Sequence, residues 1–315
     1  IAYTSLDFPT TMEASAPNEA EDSGNEGGSV VLGGGSDSYG RQYASVEEMW
    51  EMEGAYSDPE SWYGRAADYW EDEDICPATV NGVLGGFESL SPGDLEASRT
   101  FLQELQRMTV PGDVRVNLGG AGTAACECGA GIGRVTKGLL LPLGYARCDL
   151  IELSPRLLSE APAYIGDKDS HKCRYLCQSL QHFEPPPSSY DIIWIQWCIG
   201  YLTDQDCIQF LKRCGAALRR PDHPTNNNNN DENNDNNNNN DENNNTRGII
   251  CIKDNTCTDE TFVLDRDDAS ITRSLPYLLD LAHKAGLKVL HQQTNQDDFP
   301  DDIFPVPMIA LIMDD

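Results

Sequence analysis

The run Glu127-Cys128-Gly129-Ala130-Gly131-Ile132-Gly133-Arg134 has the residue types and spacing best suited to chemistry in this chain. It follows the apolar Ala124, Ala125 and Cys126 and leads into a helical-looking stretch at residues 135–141. Glycines without a Cβ allow a tight turn and a close approach of backbone to ligand. A helix starting near Arg134 would aim its unpaired N–H groups at that ligand. Dinucleotide-binding chains space these glycines as G-x-G-x-x-G, whereas here the order is G-x-G-x-G behind an acid, which argues against hydride transfer. Three glycines also occur in ordinary surface loops. A second element supports the nucleotide reading. Cys148-Asp149-Leu150-Ile151-Glu152 reads as a strand ending in a carboxylate about 20 residues further on, where such folds place the acid that accepts ribose hydroxyls. The alternative for Glu152, a solvated carboxylate at a strand end, fits the spacing less well.

The elements that would position these residues alternate in period. Ser91-Pro92-Gly93-Asp94 has the form of a helix start with a capping serine and proline at the first position. Phe101, Leu102, Leu105 and Met108 then form one apolar stripe. Strands are expected at residues 124–128, 149–152, 174–177, 191–195 and 248–253, the fourth too continuously apolar for a surface strand. Thr203 with Asp206 starts a helix whose buried face is Cys207, Leu211, Cys214 and Leu218. Another helix runs from about Leu275 to Gly286, followed by two β-like runs at residues 287–292 and 304–313. Strands alternating with helices imply an α/β fold with a mostly parallel sheet, and two final strands without a helix between them imply an antiparallel edge.

Composition sets the outer limits. The chain has 315 residues, 52 acids against 22 bases and a net charge of −30, which makes nucleic acid a poor partner and a basic peptide a good one. No run approaches the roughly 18 apolar residues of a membrane helix. Residues 1–60 hold thirteen acids and only Arg41 as a base, and are expected to be a disordered acidic leader with at most a short helix at residues 46–52. No secretion signal is evident there. Residues 61–315 are expected to form one domain, lengthened at 222–247 by a surface insert rich in asparagine. The eleven cysteines include no C-x-x-C pair, so no metal site and no disulfide framework is expected, and reduced thiols suit the cytoplasm or nucleus.

The G-x-G-x-G run resembles the S-adenosylmethionine motif of class I methyltransferases, and the strand order is that of their Rossmann-like, seven-stranded fold with an N-terminal helical extension. Three further segments narrow the resemblance: Trp70, the block Thr79-Val80-Asn81-Gly82-Val83-Leu84-Gly85-Gly86-Phe87, and Trp194-Ile195-Gln196-Trp197-Cys198-Ile199-Gly200-Tyr201-Leu202-Thr203-Asp204-Gln205. With Ile252-Lys253-Asp254-Asn255, they are similar to the eukaryotic protein N-terminal (α-amino) methyltransferases from about Trp62 to Met313. The resemblance implies an S-adenosylmethionine-dependent enzyme acting on protein termini that begin X-Pro-Lys or X-Pro-Arg after removal of methionine. It implies that Gly129, Gly131 and Arg134 hold the methionine end of the cofactor and Glu152 the ribose. Leu180 and Gln181 would flank the adenine, and Gln196 and Trp70 would complete the site.

For the substrate it implies a small first residue near Leu84 and Gly85, a proline ring on Trp197, and the third residue and α-amine received by Asp265 and Asp268 with Ser270. Read alone, Leu264-Asp265-Arg266-Asp267-Asp268 is a solvated acidic loop, and Trp197 could be core. Methyl transfer to an amine needs a neutral lone pair, and an α-amino group has a pKa of roughly 7.7 to 8.0. Asp268 is therefore the expected base and Asn255 an orienting amide. Relatives often carry histidine at Tyr201, and a tyrosine, with a pKa near 10, is assigned to hydrogen bonding. A monomer is expected. The alternatives are a methyltransferase of the same fold acting on a small amine or carboxylate, and an inactive cofactor-binding homologue.

Overall fold

A computed structural model describes residues 33–108, 115–220, 246–294, 299 and 303–314. The chain opens with strands β1 (Gly35–Asp37) and β2 (Gln42–Tyr43) and helices α1 (Val46–Met52), α2 (Pro59–Glu71), α3 (Val80–Val83) and α4 (Ser91–Arg107). Then come β3 (Arg115–Val116), β4 (Gly120–Cys128), β5 (Tyr145–Glu152), α5 (Pro155–Ile165), β6 (Cys173–Cys177), β7 (Ile192–Gln196) and α6 (Asp204–Ala217). The last elements are β8 (Thr246–Arg247), β9 (Ile249–Lys253), β10 (Phe262–Asp265), β11 (Ser270–Arg273), α7 (Leu275–Lys284), β12 (Leu287–Gln293) and β13 (Met308–Met313).

Seven strands form one sheet in the order β12-β13-β9-β7-β4-β5-β6. The middle strands are buried on both faces, as parallel strands covered by helices must be, and every residue of β7 and β9 is buried. The chain leaves β4 for β5 on one side and later returns to β7 on the other, so a crevice opens beside the carboxyl end of β4. Register brings the strand ends level: Cys128 pairs with Ile151 and with Ile195, and Gln196 pairs with Lys253. The loops after β4, β5, β7 and β9 therefore meet at one edge. The final pair closes the other side of the sheet, with β13 antiparallel to both β12 and β9. This is the α/β arrangement expected, although Pro305 and Pro307 delay the last strand to Met308 because proline cannot donate to the ladder.

At the opposite edge, α6 ends beside the start of β7. The Arg219 N–H donates to the Tyr190 carbonyl and the Gly248 N–H to the Arg219 carbonyl, both at 2.8 Å. Residues 221–245, most of the expected insert, lie outside the described residues.

Four expectations are corrected. The leader expected through residue 60 is folded from residue 33, while residues 1–32 lie outside the described residues. Strand β1 pairs in parallel with β10, giving a second sheet ordered β11-β10-β1-β2, and Tyr43, Val46, Met49 and Trp50 are buried in the main core. Helix α1 spans Val46–Met52, as anticipated, and Ser45 caps it. Residues 264–268 are not a solvated loop: they form the end of β10 and its turn into β11, and Asp265 and Asp268 are buried. Ser91 is not a cap. A 3-10 turn at Glu88–Leu90 runs straight into α4, so the cap position falls on Leu90, and the Ser91 hydroxyl accepts instead from Arg134. The stretch after the glycines is a π-turn at Thr136–Leu140 rather than an α-helix.

The Thr203 cap of α6 is as expected, its side chain accepting the Asp206 N–H at 3.2 Å. Thr203→Ala is expected to lower stability by about 1 kcal/mol, read as a fall of about 2–4 °C in Tm.

Candidate active site

The glycine turn lies at the strand edge with Gly129 at φ +65° and Gly131 at φ +53°. A Cβ on Gly129 would come within 2.6 Å of the Cys198 Cβ, so the close approach of the β4 and β7 loops requires glycine there. Between these loops, α2 and the end of β5 lies a cavity. Gly129, Gly131, Arg134, Glu152, Leu180, Gln181, Gln196 and Trp70 all line it, so the expected cofactor residues come together. Tyr63 and Leu157 join them without having been singled out from the sequence.

Glu152 receives the Gly131 N–H on Oε2 at 2.7 Å and the Ser154 N–H on Oε1 at 2.8 Å. Burial pushes its carboxyl up, partly offset by these backbone donors. Each oxygen still has a lone pair beyond the N–H it accepts. Gln196 lines the cavity, but its amide is committed within the protein: Nε2 donates to Asp94 and Oε1 accepts from Trp194 Nε1. Its part is to hold Asp94.

Beneath the cavity is a fully buried ionic group. Asp94 and Lys253 are both 0 % exposed, with Lys253 Nζ 2.6 Å from Asp94 Oδ1 and Arg134 Nη1 2.8 Å from Asp94 Oδ2. Lys253 also donates to the Asp94 carbonyl and to Ser98 Oγ. Burial would raise the Asp94 carboxyl, but Lys253 and Arg134 outweigh it and hold it below the usual range. Burial lowers the Lys253 ammonium, with Asp94 opposing. Of these three groups Arg134 lines the cavity, which the carboxylates of Glu127 and Glu152 line as well. A lysine closing the buried strand Ile-Ile-Cys-Ile-Lys is the sequence signal that was available, since lysine is almost never fully buried without a partner.

A second cavity adjoins the first and shares Trp197 and Tyr201 with it. Its other walls include Asn255, Asp265, Asp268 and Ser270. Asp268 is 1 % exposed and accepts from the Tyr201 hydroxyl at 2.9 Å and from Ser270 Oγ at 2.6 Å. Burial, then the neighbouring Asp265 charge, pushes its carboxyl up to about 6. The same burial, with Asp268 beside it, moves the Tyr201 hydroxyl well above its ordinary range, so tyrosine stays protonated and donates. Trp197 has φ +52°, a conformation an aromatic residue rarely adopts. It is kept there because Asp254 Oδ2 accepts the N–H groups of Cys198 and Ile199 at 3.0 and 3.1 Å and the Trp197 N–H donates to the Lys253 carbonyl. Trp62 Nε1 donates to the Tyr201 carbonyl and Trp70 meets the Tyr201 ring edge-on, so α2 fixes the same loop from above.

Leu84 lines the first cavity and also a smaller apolar space beside Trp197 and Asn255. Gly85 is exposed just past α3 and is not among the residues lining these cavities. Asp254 escaped the sequence reading because its work is done through backbone N–H groups more than fifty residues away.

A family model described as AdoMet dependent proline di-methyltransferase matches residues 58–247 and 238–312. The chain is 38 % identical over 254 residues to the N-terminal Xaa-Pro-Lys N-methyltransferase 1-B of Xenopus laevis, a match covering 81 % of this chain and 96 % of that protein. It is 37 % identical over 286 residues to the alpha N-terminal protein methyltransferase 1 of Dictyostelium discoideum, covering 89 % and 92 %. Among solved structures, a SAM-dependent methyltransferase of Leishmania major is 34 % identical with a TM-score of 0.69, covering 91 % of this chain and all of that one.

Proposed function

Because this chain belongs to the family of AdoMet-dependent N-terminal Xaa-Pro-Lys protein methyltransferases, we propose that its two cavities bring a methyl donor and a protein terminus together across Trp197 and Tyr201. The enzyme methylates the α-amino group of proteins that begin Xaa-Pro-Lys, with S-adenosylmethionine as donor. What carries the assignment of roles is the pair of adjoining cavities, one lined by Glu152 and Arg134 beside the glycine turn and the other walled by buried aspartates.

The residues of the first cavity fit the cofactor. Glu152 would accept the ribose hydroxyls with its remaining lone pairs. Arg134, a permanent cation, would meet the carboxylate. Leu180 and Gln181 would flank the adenine, with Trp70, Gly129 and Gly131 closing the remaining walls. Bound there, S-adenosylmethionine supplies an electrophilic methyl carbon.

The protein's own residues do the rest. Trp197 offers a flat face for the second-residue proline. Asp265, with Asp268 and Ser270, attracts the basic third residue and the α-ammonium, and arginine would serve there as lysine does. Leu84 bounds the space for a small first residue. Asp268, poised near neutrality by burial, takes the proton that must leave the amine, directly or through water, while Tyr201 and Ser270 fix its orientation. Asn255 orients the amine, whose alignment with the methyl carbon is the main catalytic requirement. The enzyme acts as a monomer in this reading. The eleven free thiols suit a reducing compartment, cytoplasm or nucleus.

Mass spectrometry after incubation with S-adenosylmethionine and a Ser-Pro-Lys peptide tests this reading. Methyl groups on the terminal amine are expected, and modification of an internal lysine instead would refute it. Glu152→Ala is expected to weaken cofactor binding by about 10- to 100-fold, as loss of charge-assisted hydrogen bonds would. Calorimetry checks the affinity, and kcat at saturating cofactor should change far less.

A further inference from the structure

Arg266 is the one cation in the run Leu264-Asp265-Arg266-Asp267-Asp268, between Asp265 and Asp268, two of the aspartates that wall the substrate cavity; Asp37 lines it too, whereas Arg266 is not among its lining residues. Its guanidinium turns to the folded N-terminal segment instead. It lies 3.4 Å from Asp37 and 3.8 Å from Glu53, and over the ring of Tyr39 at 5.8 Å. Its backbone N–H donates to Ser38 Oγ at 3.2 Å, and the Ser38 N–H to the Leu264 carbonyl at 2.8 Å. Every one of these partners lies in residues 33–57, ahead of the part matched by the family model.

We propose that Asp37, assisted by Glu53, is a positioning residue for substrate selection: it holds Arg266 out of the substrate cavity and so leaves Asp265 and Asp268 to the basic third residue of the substrate. The inference rests on the role proposed for those two aspartates. A guanidinium tethered within two residues of a carboxylate competes at an effective concentration on the order of millimolar or above, which a dilute terminus cannot match. A cation that close would also cancel much of the attraction on which the cavity depends. Asp37 is built to prevent this. Parallel pairing places it opposite Leu264, and its carboxylate accepts the N–H groups of Tyr39 and Arg41 and the Tyr43 hydroxyl besides Arg266. Burial alone would push its carboxyl up, but these donors and Arg266 hold it below the usual range, so it is ionised.

The test compares peptides beginning Ser-Pro-Lys and Ser-Pro-Gln. Asp37→Asn keeps a carbonyl oxygen for the two N–H groups and loses the charge. It is expected to raise KM for the lysine peptide by roughly tenfold, to leave the glutamine peptide and cofactor affinity nearly unchanged, and so to collapse the selectivity. Adding Arg266→Gln should restore it, and Arg266→Gln alone should keep it. If Asp37→Asn does not fold, Glu53→Gln carries the test with a smaller rise in KM. A selective natural chain whose selectivity survives Asp37→Asn, or a double variant that does not recover, overturns the inference alone. A natural chain indifferent to lysine or glutamine overturns the reading of Asp265 and Asp268, and this inference with it.

Discussion

Asp268→Asn is expected to lower turnover by about 10²- to 10⁴-fold, the range a general base contributes, while cofactor affinity stays near that of the natural chain. Among the described residues the two cavities share Trp197 and Tyr201, and Asp268 lines the second cavity and not the first, so its carboxylate does not face the cofactor site. The pH profile separates a base from a merely structural carboxylate. With Asp268 raised to about 6, kcat/KM of the natural enzyme should climb as pH rises through that value and the carboxylate forms. In the variant this limb should vanish. Only termini already neutral would react, and activity should climb near the pKa of the amine, roughly 8. Stability should move the other way. A carboxyl whose folded-state pKa lies above its unfolded value binds its proton more tightly in the folded state, so its stabilising contribution is lost as pH rises between the two values. At neutral pH the charged Asp268 strains the fold, and Asp268→Asn should raise Tm while it removes activity. A variant that loses activity and Tm together would show that Asp268 is structural.

Lys253→Met is expected to destabilise the enzyme by about 3–5 kcal/mol, the loss seen when one partner of a buried ion pair is removed. The substitution leaves the Asp94 carboxylate buried with Arg134 as its cation and strips donors from the Asp94 carbonyl and Ser98 Oγ. Denaturant unfolding reads the difference. Adding Asp94→Asn should not restore it, because Arg134 would then lose its buried partner, and the two losses should not add as those of independent sites would. Cofactor affinity should fall as well, because Arg134, which lines the first cavity, would be left as the cation of Asp94 and drawn from the cofactor's carboxylate. Unaltered affinity in a folded Lys253→Met variant would count against that electrostatic role.

The glycine turn, Glu152, the fourth strand and the Thr203 cap were legible because each is a local pattern of period, spacing or cap chemistry. Asp268, Tyr201 and Trp197 were named through family resemblance, and the structure adds the burial and hydrogen bonds that fit them to their proposed roles. What escaped the sequence reading is non-local. Residues 1–60 carry too many acids to look foldable, yet Tyr43, Val46, Met49 and Trp50 are spaced to bury one face, and Ser36 finds Val263 as a strand partner 227 positions away. Asp94 and Lys253 are separated by 159 residues, and nothing near either shows that they meet. Ser91 misled because its motif is right for a cap, but the 3-10 turn before it already supplies the helical geometry.

The chain leaves the described core after Arg219 and Arg220 and returns at Thr246, beside the amino ends of β7 and β9, while both cavities open at the carboxyl ends of those strands. The two cavities and the points where the asparagine-rich insert joins the described residues thus lie at opposite poles of the sheet. Shortening the asparagine tract, or splicing a reporter into it, is therefore expected to leave turnover unchanged.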